Sequence, residues 1–450
     1  MSRILIINAR VVNEGRVDEV DVFVDGDRIA QIGGQIDAKP PVRVVDAAGR
    51  YLIPGMIDDQ VHFREPGLTH KGDLATESAA AVAGGITSFM EMPNVEPQTT
   101  TRAALADKYE RATGRARANF AFYLGATNTN IEEIRRLKPG EACGIKIFMG
   151  ASTGNLLVDD PAALDSLFAD APVIIVTHCE DSPTIWTNEQ RARENYGDAI
   201  PMSEHPLIRS AEACLLSSTK AIELARRHDA RLHVLHLTTA AEMKLFSPLP
   251  RGEKRITAEV CVHHLFFDAT DYERLGTRIK CNPAIKFEAD RDALRQAVID
   301  GRIDIIATDH APHTAEEKAN TSYFKAPAGL PLVQHALVSL FEYVHDGLFP
   351  VELIVDKTSH AVADIFGVEG RGYIREGYFA DLALVNTNKS WVVSSDNLLY
   401  KCGWSPFEGM TFRSSVDMTL VNGDIVWERG ALQGAPAGRR LDIDGTRQAT

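Results

Sequence analysis

The sequence predicts an α/β protein: a closed (β/α)8 barrel of the TIM type with a small composite β domain built from both chain ends. Three observations carry this. The first fifty residues alternate apolar and polar positions, as in ILIINARVV and DVFVDGDRIAQIG, with DG and GG turns between the runs. The last eighty repeat that texture in DLALVNTN and DMTLVNGDIVW, where NG marks a hairpin. Between them, eight short apolar runs alternate with helical patterns, as a parallel sheet with crossover helices requires.

The eight runs follow in order: GMIDDQVHF, GITSFMEMPN, NFAFYLGAT, CGIKIFMG, PVIIVTHCED, RLHVLHLTT, ITAEVCVHH and IDIIATDHAPH. Helical patterns such as DLATESAAAVAG and SAEACLLSSTKAIELARRH separate most of them. An open doubly wound sheet is the alternative, but no glycine-rich phosphate loop follows the first run. The expected boundaries are 1–53 and 371–450 for the β domain and tail, and 54–370 for the barrel.

At 450 residues, with 44% hydrophobic and 24% charged residues, the chain is long enough for a large barrel and a minor domain. Its net charge of -14 disfavours nucleic acid and anionic membrane as partners. Six scattered cysteines form no CxxC pair, which argues against a zinc knuckle or disulfide framework and for a reducing, cytoplasmic setting. The first residues are too soon polar for a signal peptide, and no apolar run is long enough to span a bilayer.

A barrel of this kind collects its reactive groups at the C-terminal ends of its strands. Reading those ends yields His62, Lys146, His178, His236 and Asp309. Each alone has a plain structural explanation: a core histidine, a snorkelling lysine, a helix-capping aspartate. Five on separate strands argue for one converging site. Imidazole and carboxylate suit zinc and similar divalent ions. A lysine beside such ions is favoured in its neutral form, which can take up carbon dioxide and become a bridging carbamate. Strand alternation predicts that only one of His233 and His236 points into the barrel, and that Asp59 points away from its neighbours. His205 and His345 read as surface residues, and His70, His263 and His264 as supports of the rim.

TDHAPHTAEEK (Thr308–Lys318) closely resembles a signature of the dihydroorotases, cyclic amidohydrolases of the amidohydrolase superfamily. PGMIDDQVHFREPG resembles their other signature except at Gln60, where the family pattern has histidine. MPNVEP, VTHCED, LHVLHLTT, ITAEVCVHHL and KCNPAIK match in order and approximate spacing. The resemblance implies a (β/α)8 barrel with a composite β sandwich, and one or two zinc ions per chain. It implies His62, Lys146 (as an N6-carboxylated bridge), His178, His236 and Asp309 as ligands, with Gln60 a sixth, weak candidate. Asp309 would also be the general base and acid. Arg64, Asn94, Asn282 and His313 would bind substrate, and the loop KAPAGLPLV would offer backbone hydrogen bonds to its ring.

The implied reaction is the reversible cyclisation of N-carbamoyl-L-aspartate to L-dihydroorotate in pyrimidine synthesis. In the hydrolytic direction, metal-bound hydroxide attacks the ring amide. The resemblance also implies a homo-oligomer, taken as a dimer. Gln60 leaves three readings open: weak ligation through its carbonyl oxygen, a site holding one metal at Lys146, His178 and His236, or a non-catalytic scaffold for a carbamoyltransferase. Hydantoinases and allantoinases share the metal set but need no arginine at the place of Arg64.

Overall fold

The computed structural model describes residues 3–150 and 156–444. The N-terminal strands are β1 (Arg3–Asn13), β2 (Arg16–Asp25), β3 (Arg28–Gly33), β4 (Arg43–Asp46) and β5 (Tyr51–Pro54). The middle of the chain supplies β6 (Met56–Val61), β7 (Ile86–Glu91), β8 (Asn119–Phe122), β9 (Leu124–Gly125), β10 (Ile145–Phe148), β11 (Ile175–His178), β12 (Leu232–Val234), β13 (Ile256–Cys261) and β14 (Ile305–Ala307). The C-terminal strands are β15 (Leu382–Asn386), β16 (Trp391–Val392), β17 (Thr411–Phe412), β18 (Ser415–Val421), β19 (Asp424–Glu428) and β20 (Ala431–Leu432).

Both chain ends share one nine-stranded sheet, in the order β20-β19-β18-β15-β5-β1-β2-β3, with β4 on β1. The two halves meet where β5 pairs antiparallel with β15, Leu52 opposite Leu384. Alternation buries one face of this sheet in an aliphatic cluster that includes Ile4, Ile6, Val22, Val24, Leu382 and Leu420. The period-two pattern read from the sequence is thus the inward face of one joint sheet.

The middle strands run parallel from β6 to β8 and from β9 to β14. Only Tyr123 separates β8 from β9, so the two are halves of one kinked strand and the parallel strands number eight. A parallel bridge from Val61 to His310 and the His62 N–H bond to the His310 carbonyl at 2.7 Å close the ring. Inside, Ile57, Met90, Tyr123, Val176 and Ile305 pack with Val362 and Phe366 of the helix Ala361–Phe366. An aromatic or aliphatic side chain buried this way is worth about 1.5–3 kcal/mol. That apolar plug fills one end of the barrel, and polar groups occupy the layers from there to the opposite rim.

Candidate active site

The rim site begins with a break in strand regularity. The β6–β7 register shifts between Asp58 and Val61, so the first strand bulges under its own signature residues. Asp58 fixes the bulge. One of its oxygens accepts from the Thr308 and Gln60 backbone N–H groups, and the other from the Thr308 hydroxyl at 2.6 Å. Burial pushes this carboxyl up to about 8. Beyond the bulge, Gln60 and His62 line one cavity with Arg64, Asn94, Lys146, Phe148, His178, His236, Asn282, Asp309 and Ala328. Those residues come from the ends of seven of the eight barrel strands and the connections that follow them.

Three of the cavity residues hold positive φ: Arg64 at 71°, His236 at 39° and Asp309 at 50°. Such angles are uncommon for residues with a side chain and re-aim it from the strand direction. His236 shows the effect. His233 and His236 were expected on opposite faces, yet both point into the barrel, His236 at the rim and His233 one layer below. The regular strand ends at Val234, and the left-handed turn at His236 brings its ring back inward.

Two close pairs of polar side-chain atoms converge on the cavity. His62 Nδ1 lies 2.8 Å from Asn94 Oδ1, so that nitrogen carries the proton in a neutral ring. Its Nε2 lies 3.0 Å from Asp309 Oδ1, a hydrogen bond when that nitrogen also carries a proton and a lone pair facing a carboxylate when it does not. Across the cavity, His178 Nε2 meets Glu180 Oε2 at 2.9 Å, which leaves Nδ1 to face His236 Nε2 at 3.0 Å. The His236 Nδ1 is buried and has no hydrogen-bond partner. Burial drives all three imidazoles below their ordinary pKa, His236 furthest. Neutral imidazoles gathered beside a carboxylate, with the His236 Nδ1 lone pair left unpaired, suit a cation, so the residues present fit a divalent metal.

The Lys146 ammonium stands in the same cavity, 4.6 Å from the centre of the Phe148 ring. Burial lowers its pKa to about 8, against the pull of Asp309 and Glu259. Asp309 itself would be raised by burial, but the bond to His62 outweighs that and holds it below the usual carboxylate range. Glu180 is held at about 2 against its burial by Arg209, with which it forms a short ion pair, and by His178.

Gln60 turns its amide nitrogen to Asp309 Oδ1 at 3.1 Å and its oxygen to the Cys261 thiol at 3.9 Å. In that orientation the group offers a donor to the carboxylate and no lone pair to the cavity. The substrate-side residues divide as well. Arg64, Asn94 and Asn282 line the cavity, and Asn282 Oδ1 is buried without a partner. His313 sits behind Arg64, its Nε2 3.2 Å from an Arg64 terminal nitrogen and 3.0 Å from the Ala328 carbonyl. Arg64 also donates to the Pro312 carbonyl at 3.0 Å, which fixes its plane.

The loop through Ala328 and Gly329 is pinned by groups that sequence reading did not single out. Lys318 is buried and donates to the carbonyls of Lys280, Pro327 and Gly329 at 3.0–3.2 Å. Gly329 has φ +140°, and a Cβ there would lie 2.4 Å from the Ala311 carbonyl oxygen, so only glycine lets this loop approach the rim. Glu180 and Arg209 were also missed. The available signal was the glutamate two residues after His178 in HCED, on the same side of the chain. The His263 and His264 rings lie 3.9 Å apart, tilted by 43°, beside Cys261, and both His263 nitrogens are buried without partners. His205 is not a surface residue: its ring is fully buried between the Tyr323 hydroxyl at 2.9 Å and the Cys281 carbonyl at 2.7 Å.

A parallel barrel with imidazoles, a lysine and an aspartate on its C-terminal rim defines a metal-dependent hydrolase class, and residues 51–426 match the family model described as "Amidohydrolase family". The chain belongs to that family, whose members are metal-dependent. Its relatives narrow the class: the chain is 34% identical to the dihydroorotase of Halobacterium salinarum over 94% of its own length and 96% of that protein. It is 32% identical to the dihydroorotase of Pediococcus pentosaceus over 95% of its length and 99% of that protein. Among solved structures it resembles the L-hydantoinase (dihydropyrimidinase) of Arthrobacter aurescens, with a TM-score of 0.93, 25% identity and coverage of 98% and 100% of the two chains. No helix among the described residues is long and apolar enough to cross a membrane.

Proposed function

We propose that the chain is a dihydroorotase, interconverting L-dihydroorotate and N-carbamoyl-L-aspartate at this rim. The observation that supports it best is Arg64: a buried guanidinium, aligned by Pro312 and His313, in the wall of the cavity that holds the catalytic carboxylate. Substrate and product both carry an α-carboxylate, and a planar guanidinium recognises one better than any other side chain. A hydantoin has no such group, so this arginine favours dihydroorotate over the hydantoinase substrates.

His178, His236, Lys146, His62 and Asp309 would hold the zinc, with Lys146 carboxylated. When bound, zinc supplies a Lewis acid for the amide carbonyl and lowers the pKa of water. The chain's own residues do the rest. Asp309, kept ionised by His62, takes a proton from the attacking water as its oxygen adds to the ring carbonyl carbon. The same carboxyl then gives that proton to the ring nitrogen as the C–N bond breaks. Arg64 and Asn94 hold the substrate carboxylate, His313 keeps Arg64 in place, and Asn282 offers its free oxygen to a ring N–H. Backbone groups of Ala328 and Gly329 bound the ring on the remaining side.

The test is turnover of dihydroorotate, hydantoin and allantoin by zinc-loaded protein, alone and with a carbamoyltransferase. Preference for dihydroorotate supports the proposal. Faster hydrolysis of hydantoin overturns the substrate, and no turnover under any condition overturns the enzyme in favour of a scaffold.

A further inference from the structure

One layer below the rim, the barrel holds three ionisable side chains with no solvent access: Asp59 on β6, His233 on β12 and Glu259 on β13. Strand β6 pairs with β7 and bridges to His310, so its contacts with β12 and β13 cross the barrel interior. Asp59 was expected to face away from its neighbours and instead points inward. Its Oδ2 lies 3.4 Å from His233 Nε2, and Glu259 Oε2 lies 3.6 Å from the same nitrogen. All three atoms, and Asp59 Oδ1, are buried without a hydrogen-bond partner.

The imidazole's other nitrogen is committed. His233 Nδ1 lies 2.7 Å from the Thr257 hydroxyl, whose proton is directed to the Leu232 carbonyl. The Nδ1–H therefore donates, and in the neutral ring Nε2 turns a lone pair toward two carboxylate oxygens. That arrangement is repulsive unless something positive sits among them. The separations choose between a proton and a metal. A direct N–H···O bond spans about 2.7–3.2 Å. Two donors bound at about 2.1 Å to one tetrahedral ion stand about 3.4 Å apart. The observed gaps match the second span. A divalent ion would also balance two carboxylates and a neutral imidazole to zero net charge, where an uncompensated buried carboxylate costs several kcal/mol.

We infer that Asp59, His233 and Glu259 form a second, interior metal site for a zinc-like divalent ion, separate from the rim. Thr257 orients its imidazole, as hydrogen-bonded neighbours orient metal-bound histidines generally. Glu259 links the layers: its other oxygen accepts the His236 backbone N–H at 3.1 Å, at the turn that aims His236 into the rim. An ion at this depth enters as the barrel folds and exchanges slowly, whereas rim ions are open to chelator.

The full-length protein, produced with zinc and dialysed against chelator, tests this by metal count per chain. A His178→Ala/His236→Ala/Asp309→Ala variant is expected to keep about one chelator-resistant zinc, and Asp59→Asn to lose it. Crystals of the unaltered protein measured at the zinc edge are expected to show an anomalous peak among Asp59 Oδ2, His233 Nε2 and Glu259 Oε2. Absence of that peak overturns the inference and leaves a proton shared by the three groups, whether or not any variant folds. A peak at the rim alone would uphold the catalytic proposal and sink this one.

Discussion

The two halves of the rim differ in how the chain prepares them. On the fifth and sixth strands, His178 and His236 meet at 3.0 Å, and Glu180, itself clamped by Arg209, holds the far side of His178. On the first and eighth strands, His62 and Asp309 also meet at 3.0 Å, but Gln60 places an amide donor on the same Asp309 oxygen. In the proposed function the first pair would serve as metal ligands, and Asp309, with a glutamine on one of its lone pairs, would carry the proton. The difference teaches that a glutamine on the first strand need not dissolve such a site, because His178 and His236 are held by neighbours that Gln60 does not touch.

Breaking the catalytic half should have the largest effect. Asp309→Asn is expected to lower kcat by about 10²–10⁴-fold, the usual worth of a positioned general base. Zinc should be retained on the His178 side; equal loss of metal and activity would argue that Asp309 acts as a ligand alone. Next comes Arg64→Ala, whose charged hydrogen bond to a carboxylate is worth about 1.5–3 kcal/mol, or roughly 10–150-fold in kcat/KM for dihydroorotate. Hydantoin turnover, if any, should be unmoved, and steady-state kinetics on both substrates checks it.

Weakening the ligand half from behind should be milder. Glu180→Gln is expected to lower zinc affinity by about 10–100-fold, read by competition with a chromophoric chelator. The smallest change sharpens the comparison: Gln60→His would place a second imidazole on the first strand and remove the amide from Asp309. It is expected to raise rim zinc by about one ion per chain. An unchanged count would mean that the first half already holds its full complement despite Gln60.

The sequence alone carried the architecture. Period-two runs at both ends and eight apolar runs between helices reflect local geometry, because strand and helix periods are properties of the backbone. The gathering of these side chains at one rim was also legible, since His62, His178, His236 and Asp309 lie at or near the end of an apolar run and Lys146 lies within one. Tertiary structure decided what depends on departures from ideal periodicity. The bulge at Asp58–Val61 lets Gln60 line the cavity although its neighbour Asp59 also faces inward, and the left-handed turn at His236 adds its ring to the side that His233 faces, against strict alternation. It also decided the partnerships of groups far apart in the chain, such as Glu180 with Arg209, and the full burial of His205. Alternation is a rule about neighbours within one strand. Which side chains share a buried layer is set by how eight strands close on one another, and no single stretch of sequence contains that information.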